Sequence, residues 1–177
     1  MTIRMNRTIA ATLLLVVLET CVVPWLIPPA WSDRLFPHLA FIMTVYVAVF
    51  GGRHRAFFFG LGFGLLQDEL FYGHMIGAYS FGMALLGYLC GLVMKRSRVS
   101  LAAVIVMAGI GSGVLDTMVY WIYELFSLAG VSFGYAVYNQ VLPTLLLQAF
   151  LALLLYLPVR RWLVRTLPSS AADDGPA

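Results

Sequence analysis

Six apolar runs, separated by short breaks, constrain what this chain can become. They are Thr8–Ile27, Phe36–Phe50, Ala56–Tyr72, Ala78–Met94, Leu101–Leu125 and Val137–Leu157. A helix crosses a bilayer in about 17–25 residues, so most of these runs have the length of a span, and the second is short for one. Of the 177 residues, 62% are hydrophobic and 11% charged, against about 45–50% and about 25% in a soluble domain. The expected fold class is an all-α polytopic membrane protein. Six transmembrane helices would form one membrane domain over residues 1–167. Nothing of that size leaves room for a soluble catalytic domain.

The breaks carry the charge and the turn formers. Pro28 and Pro29 close the first run, and the loop after it holds Trp31, Ser32, Asp33 and Arg34. Pro37 suits the first turn of the second helix. Gly51-Gly52-Arg53-His54-Arg55 reads as a tight basic turn, Lys95-Arg96-Ser97-Arg98 ends the fourth run, and Ser127–Tyr135 is an aromatic, glycine-bearing loop. Pro158 precedes Arg160, Arg161 and Arg165. Residues 168–177 are small and polar with Asp173 and Asp174, a composition expected to be a disordered tail. Arg4 and Arg7 before an apolar run look like the start of a signal peptide. No small-residue cleavage site follows and Glu19 interrupts the run, so an uncleaved first helix is expected. Cys21 and Cys90 fall at different depths and are expected to be packing residues rather than a disulfide.

Six spans put both termini and the second and fourth turns on one side. That side collects Arg4, Arg7, Arg53, Arg55, Lys95, Arg96, Arg98, Arg160, Arg161 and Arg165, which leaves only Arg34 of the 11 basic residues on the other. The positive-inside rule makes the basic side cytoplasmic. These residues are accounted for by topology and by lipid headgroups, and nucleic acid is not implied.

Against this background the polar residues inside the runs stand out. Asp68 lies roughly 20 Å along its helix from Arg55, and Asp116 on the order of 27 Å from Arg98, at the helical rise. Glu19 is similarly deep, Gln67 adjoins Asp68, and Glu124, Asn139 and Gln140 mark the outer ends of the last two runs. A carboxylate at mid-membrane costs roughly 2.5–3.5 kcal/mol on insertion scales, so each needs water, a proton or hydrogen-bond partners. Two readings stand side by side. Asp68 caps or hydrogen-bonds a neighbouring broken helix, or Glu19, Gln67, Asp68 and Asp116 line an outward-facing polar cavity or internal network.

Small residues give a second pattern. Gly60-x-x-x-Gly64, Gly87-x-x-x-Gly91 and Gly109-x-x-x-Gly113 each place glycines on one helix face, where neighbouring backbones can approach. The expectation is that the third, fourth and fifth helices form the tightly packed centre. Gly60–Asp68 (GLGFGLLQD) and Gly109–Asp116 (GIGSGVLD) also resemble each other on helices that point the same way, as an old duplication of a helix pair would.

Several chemistries lack their residues. An aspartyl intramembrane protease would need facing aspartates, usually with a glycine before one, but Asp68 follows Gln67 and Asp116 follows Leu115. His38, His54 and His74 are dispersed, and none forms a helix-face pair with metal-ligand spacing. No phosphate-cradling loop appears, and no serine or cysteine sits beside a base. The residues do not describe an enzyme, a cofactor site or a metal site.

The block Gly64-Leu65-Leu66-x-Asp68, the loop glycines Gly73 and Gly77, and Gly87-Tyr88-x-x-Gly91 resemble the pattern of the MreD family of rod-shape-determining membrane proteins. The resemblance implies a non-enzymatic subunit of the bacterial cell-elongation (Rod) machinery in the cell membrane. Its implied direct partner is MreC, a bitopic protein with a large external domain. MreB, RodA and a class B penicillin-binding protein belong to the wider peptidoglycan-synthesis assembly, and self-association is left open. It also implies a bundle similar to the S components of energy-coupling-factor transporters. The alternative function is therefore a substrate-binding subunit for vitamin-type uptake, with Glu19, Asp68 and Asp116 around the ligand. The chain departs from those transporters in lacking an Ala-x-x-x-Ala pair in its first helix, since Leu14 and Leu15 follow Ala10 and Ala11.

Overall fold

A computed structural model describes residues 2–22, 37–72, 75–96, 101–128 and 132–166, with positions 25, 28 and 130. The first loop with Asp33 and Arg34, the positions of Gly73, His74 and Arg98, and the tail 168–177 lie outside the described residues. So do the side chains of Arg4, Arg7, Lys95, Arg96, Gln140, Arg160, Arg161 and Arg165.

The regular structure among the described residues is all helical, with no strand. The elements are α1 (Thr2–Cys21), α2 (Leu39–Gly51), α3 (Arg53–Gln67), α4 (Ala78–Arg96), α5 (Leu101–Leu125), α6 (Phe133–Ala136) and α7 (Leu142–Thr166). A π turn, Asp68–Tyr72, extends α3, and a second, Val137–Val141, joins α6 to α7 in one continuous rod.

Several boundaries differ from the sequence expectation, each for a local reason. The first helix stops at Cys21 rather than Ile27; Pro24 lacks the N–H that would bond to the carbonyl of Thr20. The second begins at Leu39, so Pro37 precedes the helix instead of opening it, and the first helical bond runs from the Ile42 N–H to the His38 carbonyl. Arg53 and Arg55 belong to the first turn of α3, because the reversal is made at Gly52 alone, whose φ of +89° favours glycine. The last rod starts four residues before the expected Val137 and runs through Pro158 to Thr166. Within it, Pro143 cannot donate to the Asn139 carbonyl. The helix there widens to i→i+5 bonding, with the Leu142 N–H on the Val137 carbonyl.

At the centre stands α2. Every residue from Leu39 to Ala48 is buried, and the helix touches α1, α3, α4, α5 and α7. This corrects the expected centre, which placed the third, fourth and fifth helices innermost. A helix that is apolar all round is one that is covered all round. At 13 residues it is only about 20 Å long, so its N-terminus lies inside the bundle.

The outside is apolar and the inside carries the polar groups. Leu14, Phe58, Phe81, Ile110, Trp121, Leu146 and Phe150 are all more than half exposed, while Glu19, His38, Gln67, Asp68, Ser112 and Gln148 are buried. That distribution suits a lipid solvent. Ala102–Leu125 and Phe133–Leu155 are long and apolar enough to cross a bilayer.

Candidate functional site

The polar residues gather where two helix N-termini are buried. The first four N–H groups of any helix have no partner within it, and in a dry interior each needs one from elsewhere. His38, at the N-cap of α2, provides no side-chain cap. The cap comes from other helices. Glu19 of α1 accepts the Leu39 N–H on Oε2 at 3.1 Å, and its Oε1 accepts a bond from Gln67 Nε2 of α3 at 3.3 Å. Gln148 of α7 brackets the preceding residue: its Oε1 accepts the His38 N–H at 3.2 Å, and its Nε2 donates to the His38 carbonyl at 2.7 Å.

The His38 ring turns the other way, with Nε2 3.0 Å from Asp116 Oδ1 of α5 and the ring 5.5 Å from that of Tyr79. One helix end thus draws on α1, α3, α5 and α7. Further along α2, Tyr46 donates its hydroxyl to the Ala152 carbonyl of α7 at 2.7 Å.

Asp68 serves the second buried helix end. Its Oδ2 accepts the N–H groups of Gly77 and Ser80, and its Oδ1 that of Tyr79, all at 3.0 Å. Gly77 adopts a φ of +112° to enter α4. A carboxylate at this position meets both the orphan N–H groups and the positive end of the helix dipole. Ser80 closes the contact by donating its hydroxyl to the Leu61 carbonyl at 2.9 Å.

The glycines explain how α3 and α4 come close enough. Their antiparallel backbones meet at Gly64 with Ser80, Gly60 with Met83, Ala56 with Gly87 and Arg53 with Gly91. A Cβ on Gly60 would stand 2.6 Å from the Met83 carbonyl oxygen, and one on Gly91 would stand 2.6 Å from Arg53 Cα. Gly64 lies one helical turn before Asp68, so the glycine admits the start of α4 and the aspartate binds it. Gly109 and Gly113 differ: the nearest atoms a Cβ there would meet are side-chain atoms of α7, at 3.6 and 3.3 Å, and no backbone comes nearer than the Leu145 carbonyl oxygen at 3.9 Å from Gly109. The two similar stretches diverge likewise, since Asp68 binds backbone and Asp116 binds a histidine.

Of the sequence-marked residues, Glu19 and Gln67 are bonded to each other, and Asp116 reaches the same helix end through His38. Asp68 follows Gln67 in the chain and acts on α4. Glu69 and Glu124 are exposed, the latter 3.4 Å from the Tyr120 hydroxyl. Cys21 is exposed and Cys90 buried, and both are free. Two participants escaped the sequence reading. His38, one of three histidines that look dispersed in the sequence, is the partner of Asp116. Gln148 had no assigned role, although an amide alone among leucines and alanines is a signal in itself, because a buried amide needs partners. Among the described residues no three His, Cys, Asp or Glu side chains are grouped to hold a metal ion.

The sequence profile of the family described as rod shape-determining protein MreD matches residues 3–166. The chain is 30% identical over 126 residues to "Rod shape-determining protein MreD" of Bacillus subtilis strain 168, covering 71% of this chain and 73% of that protein. No solved structure matches it.

Proposed function

Since the chain belongs to the MreD family of rod shape-determining membrane proteins, we propose that it is a non-enzymatic scaffold of the cell-elongation complex that binds and positions MreC. The family match along nearly the whole described chain carries this reading. In it, six helices cross the bacterial cell membrane as one domain with an S-component-like arrangement, and both termini face the cytoplasm. The helix of MreC packs along an apolar outer face, so that its external domain leaves the membrane at a fixed angle. MreB, RodA and a class B penicillin-binding protein join through the wider complex, through which peptidoglycan synthesis is controlled.

The internal chemistry supports a scaffold. Glu19 and Asp68 hold backbone N–H groups of α2 and α4, and Asp116 holds His38. The carboxylates are thereby engaged in joining helices, whereas the uptake alternative needs them free to face a substrate. A bundle fixed in this way offers a partner a rigid apolar surface.

Co-purification tests the reading. MreC should stay with the intact chain through extraction in a mild detergent, and depletion should round or widen rod-shaped cells. Loss of MreC under conditions that keep this chain folded would overturn the scaffold. A nutrient requirement without any change of shape would favour uptake.

A further inference from the structure

The apolar surface of α5 does not stop where the helix stops. Val106, Ile110, Val114, Trp121 and Leu125 are exposed at spacings of four, four, seven and four residues, which sets them on one face. Leu125, the last residue of α5, is 81% exposed. Beyond it Phe126 and Leu128 continue the surface, and Phe133 adds to it from α6. Ring contacts join the two elements: the Phe133 ring centre lies 5.4 Å from that of Tyr120 and 5.8 Å from that of Trp121. An exposed apolar patch of this kind marks a protein or a membrane contact, and this one is continuous with the outward face of a helix long enough to span.

Length sets the depth of the patch. The apolar part of α5, Ala102–Leu125, has 24 residues and is about 36 Å long at the helical rise. The hydrocarbon of a bilayer is about 30 Å thick. With Ala102 at one face of it, α5 crosses the other face near Trp121. Tryptophan and tyrosine favour that level, being apolar over most of the ring and polar at one atom. The turn that follows has its own backbone partners. The N–H groups of Phe126, Ser127 and Leu128 donate to the carbonyls of Ile122, Glu124 and Tyr123 at 3.3, 2.9 and 2.9 Å, and Ser127 takes a φ of +56° there. Backbone satisfied in this way can lie against lipid, which offers it no partner. Charge says which lipid: between Arg98 and Arg160 the sequence has no lysine or arginine, and the exposed charge beside the rings is Glu124, 3.4 Å from the Tyr120 hydroxyl. Nothing in the patch attracts an anionic headgroup.

We propose that the last turn of α5, residues 126–128 and Phe133 form an interfacial anchor for zwitterionic lipid, with Trp121 at headgroup level, and that this anchor fixes the depth of α5 in the bilayer. The anchor rests on α5 crossing the membrane, as in the scaffold reading above, and one experiment separates the two.

Tryptophan fluorescence of the full chain in phosphatidylcholine vesicles reads the level. With Trp25, Trp31 and Trp162 changed to Phe, Trp121 is the sole reporter. Ile110→Trp combined with Trp121→Phe moves the reporter eleven residues deeper on the same face. Trp121 should be quenched several-fold more by lipids brominated near the headgroup end of the acyl chain than by lipids brominated near its tip. The order should reverse for the probe at position 110, and aqueous iodide should quench both far less than free tryptophan. Where these variants do not fold, Phe126→Cys with Cys21→Ser, spin-labelled, reads the same contact by collision: oxygen should outcompete a water-soluble nickel chelate. Strong iodide quenching of Trp121 without quenching by brominated lipid, or a label reached mainly by the chelate, would overturn the anchor and leave a patch open to water or to a protein. Stronger quenching of Trp121 by the deep bromines would overturn its headgroup level. A probe at position 110 that no brominated lipid quenches would overturn the crossing of α5 itself, and the anchor with it.

Discussion

Gly64→Ala isolates the feature on which the α3–α4 junction depends. A methyl there would stand 2.8 Å from the Ser80 nitrogen and 2.9 Å from the Tyr79 carbonyl oxygen, whereas non-bonded contacts are comfortable at about 3.5–4.0 Å. Both neighbours are backbone, so no side chain can swing aside. Ser80 Cα lies closer still, so the first turn of α4 must retreat by at least roughly 0.7 Å to restore ordinary contact. The Asp68 bonds to Tyr79 and Ser80 are 3.0 Å long. The same retreat would stretch them to about 3.7 Å, where they cease to be hydrogen bonds.

The cost has two parts and one offset. Overpacking contributes about 1–3 kcal/mol, and each bond lost to the Asp68 carboxylate about 1.5–3 kcal/mol. Replacing glycine by alanine inside a helix returns up to about 1 kcal/mol. With both bonds broken the net expectation is a loss of roughly 3–8 kcal/mol, or at least about 6 °C in the unfolding midpoint of a chain this size. Gly62→Ala is the matched control on the same helix, with no atom within 4 Å of the added Cβ; it should be neutral or slightly stabilising. Thermal unfolding of the purified full chain in detergent reads both variants. A Gly64→Ala protein that unfolds at the wild-type temperature would refute the reasoning.

Other outcomes follow from the same geometry. Gly109→Ala should leave stability nearly unchanged, because its new methyl meets every neighbour at an ordinary contact distance of 3.6 Å or more; a loss as large as that of Gly64→Ala would show that the three glycine pairs are equivalent. Asp68→Ala strips three N–H groups of their acceptor and should cost at least about 3 kcal/mol. Asp68→Asn, with one acceptor oxygen, should fall between Asp68→Ala and wild type, and abundance in the membrane together with rescue of rod shape reads the series. Gln148→Leu removes both bonds to the His38 peptide and should cost about 2–4 kcal/mol, measured as detergent unfolding. Glu19→Gln still accepts the Leu39 N–H and should be milder than Glu19→Leu in the same assay.

The residues that announce themselves in the sequence are those whose chemistry is costly in lipid. Asp68, Glu19 and Asp116 each stand out in an apolar run, and Gly60, Gly64, Gly87 and Gly91 mark the faces on which α3 and α4 meet. What those marks lack is the identity of the partner. Gly109 and Gly113 have the same spacing but face side chains, because spacing fixes a helix face and not what lies opposite it. The position of α2 was hidden for a related reason. In a chain 62% hydrophobic, a helix surrounded by protein and a helix surrounded by lipid are written in the same residues. Only the absence of any polar stripe along Leu39–Ala48, read with its short length, points inward. His38 was misjudged because its partner is 78 residues away, a pairing that no local pattern records.

The length of α2 makes sense of the rest. A buried helix long enough to reach both surfaces would leave its terminal N–H groups to water, and no side chain would be needed to satisfy them. At 13 residues α2 leaves one end inside, where each unpaired N–H would cost about 1–3 kcal/mol. Glu19 and Gln148 meet that demand from helices on different sides, and they can do so only when α1 and α7 are in place. The same holds for Asp68, which binds α4 only if the glycines have let it approach. Each polar contact therefore reports on the correct assembly of at least two helices. An apolar interface alone discriminates weakly here, since lipid tails are as apolar as the leucines they would replace. The buried acids are expensive, and that cost is what makes a wrongly packed bundle unfavourable: with α1 displaced, the Leu39 N–H and Gln67 lose their partner, and with α4 displaced, Asp68 loses the three N–H groups it accepts.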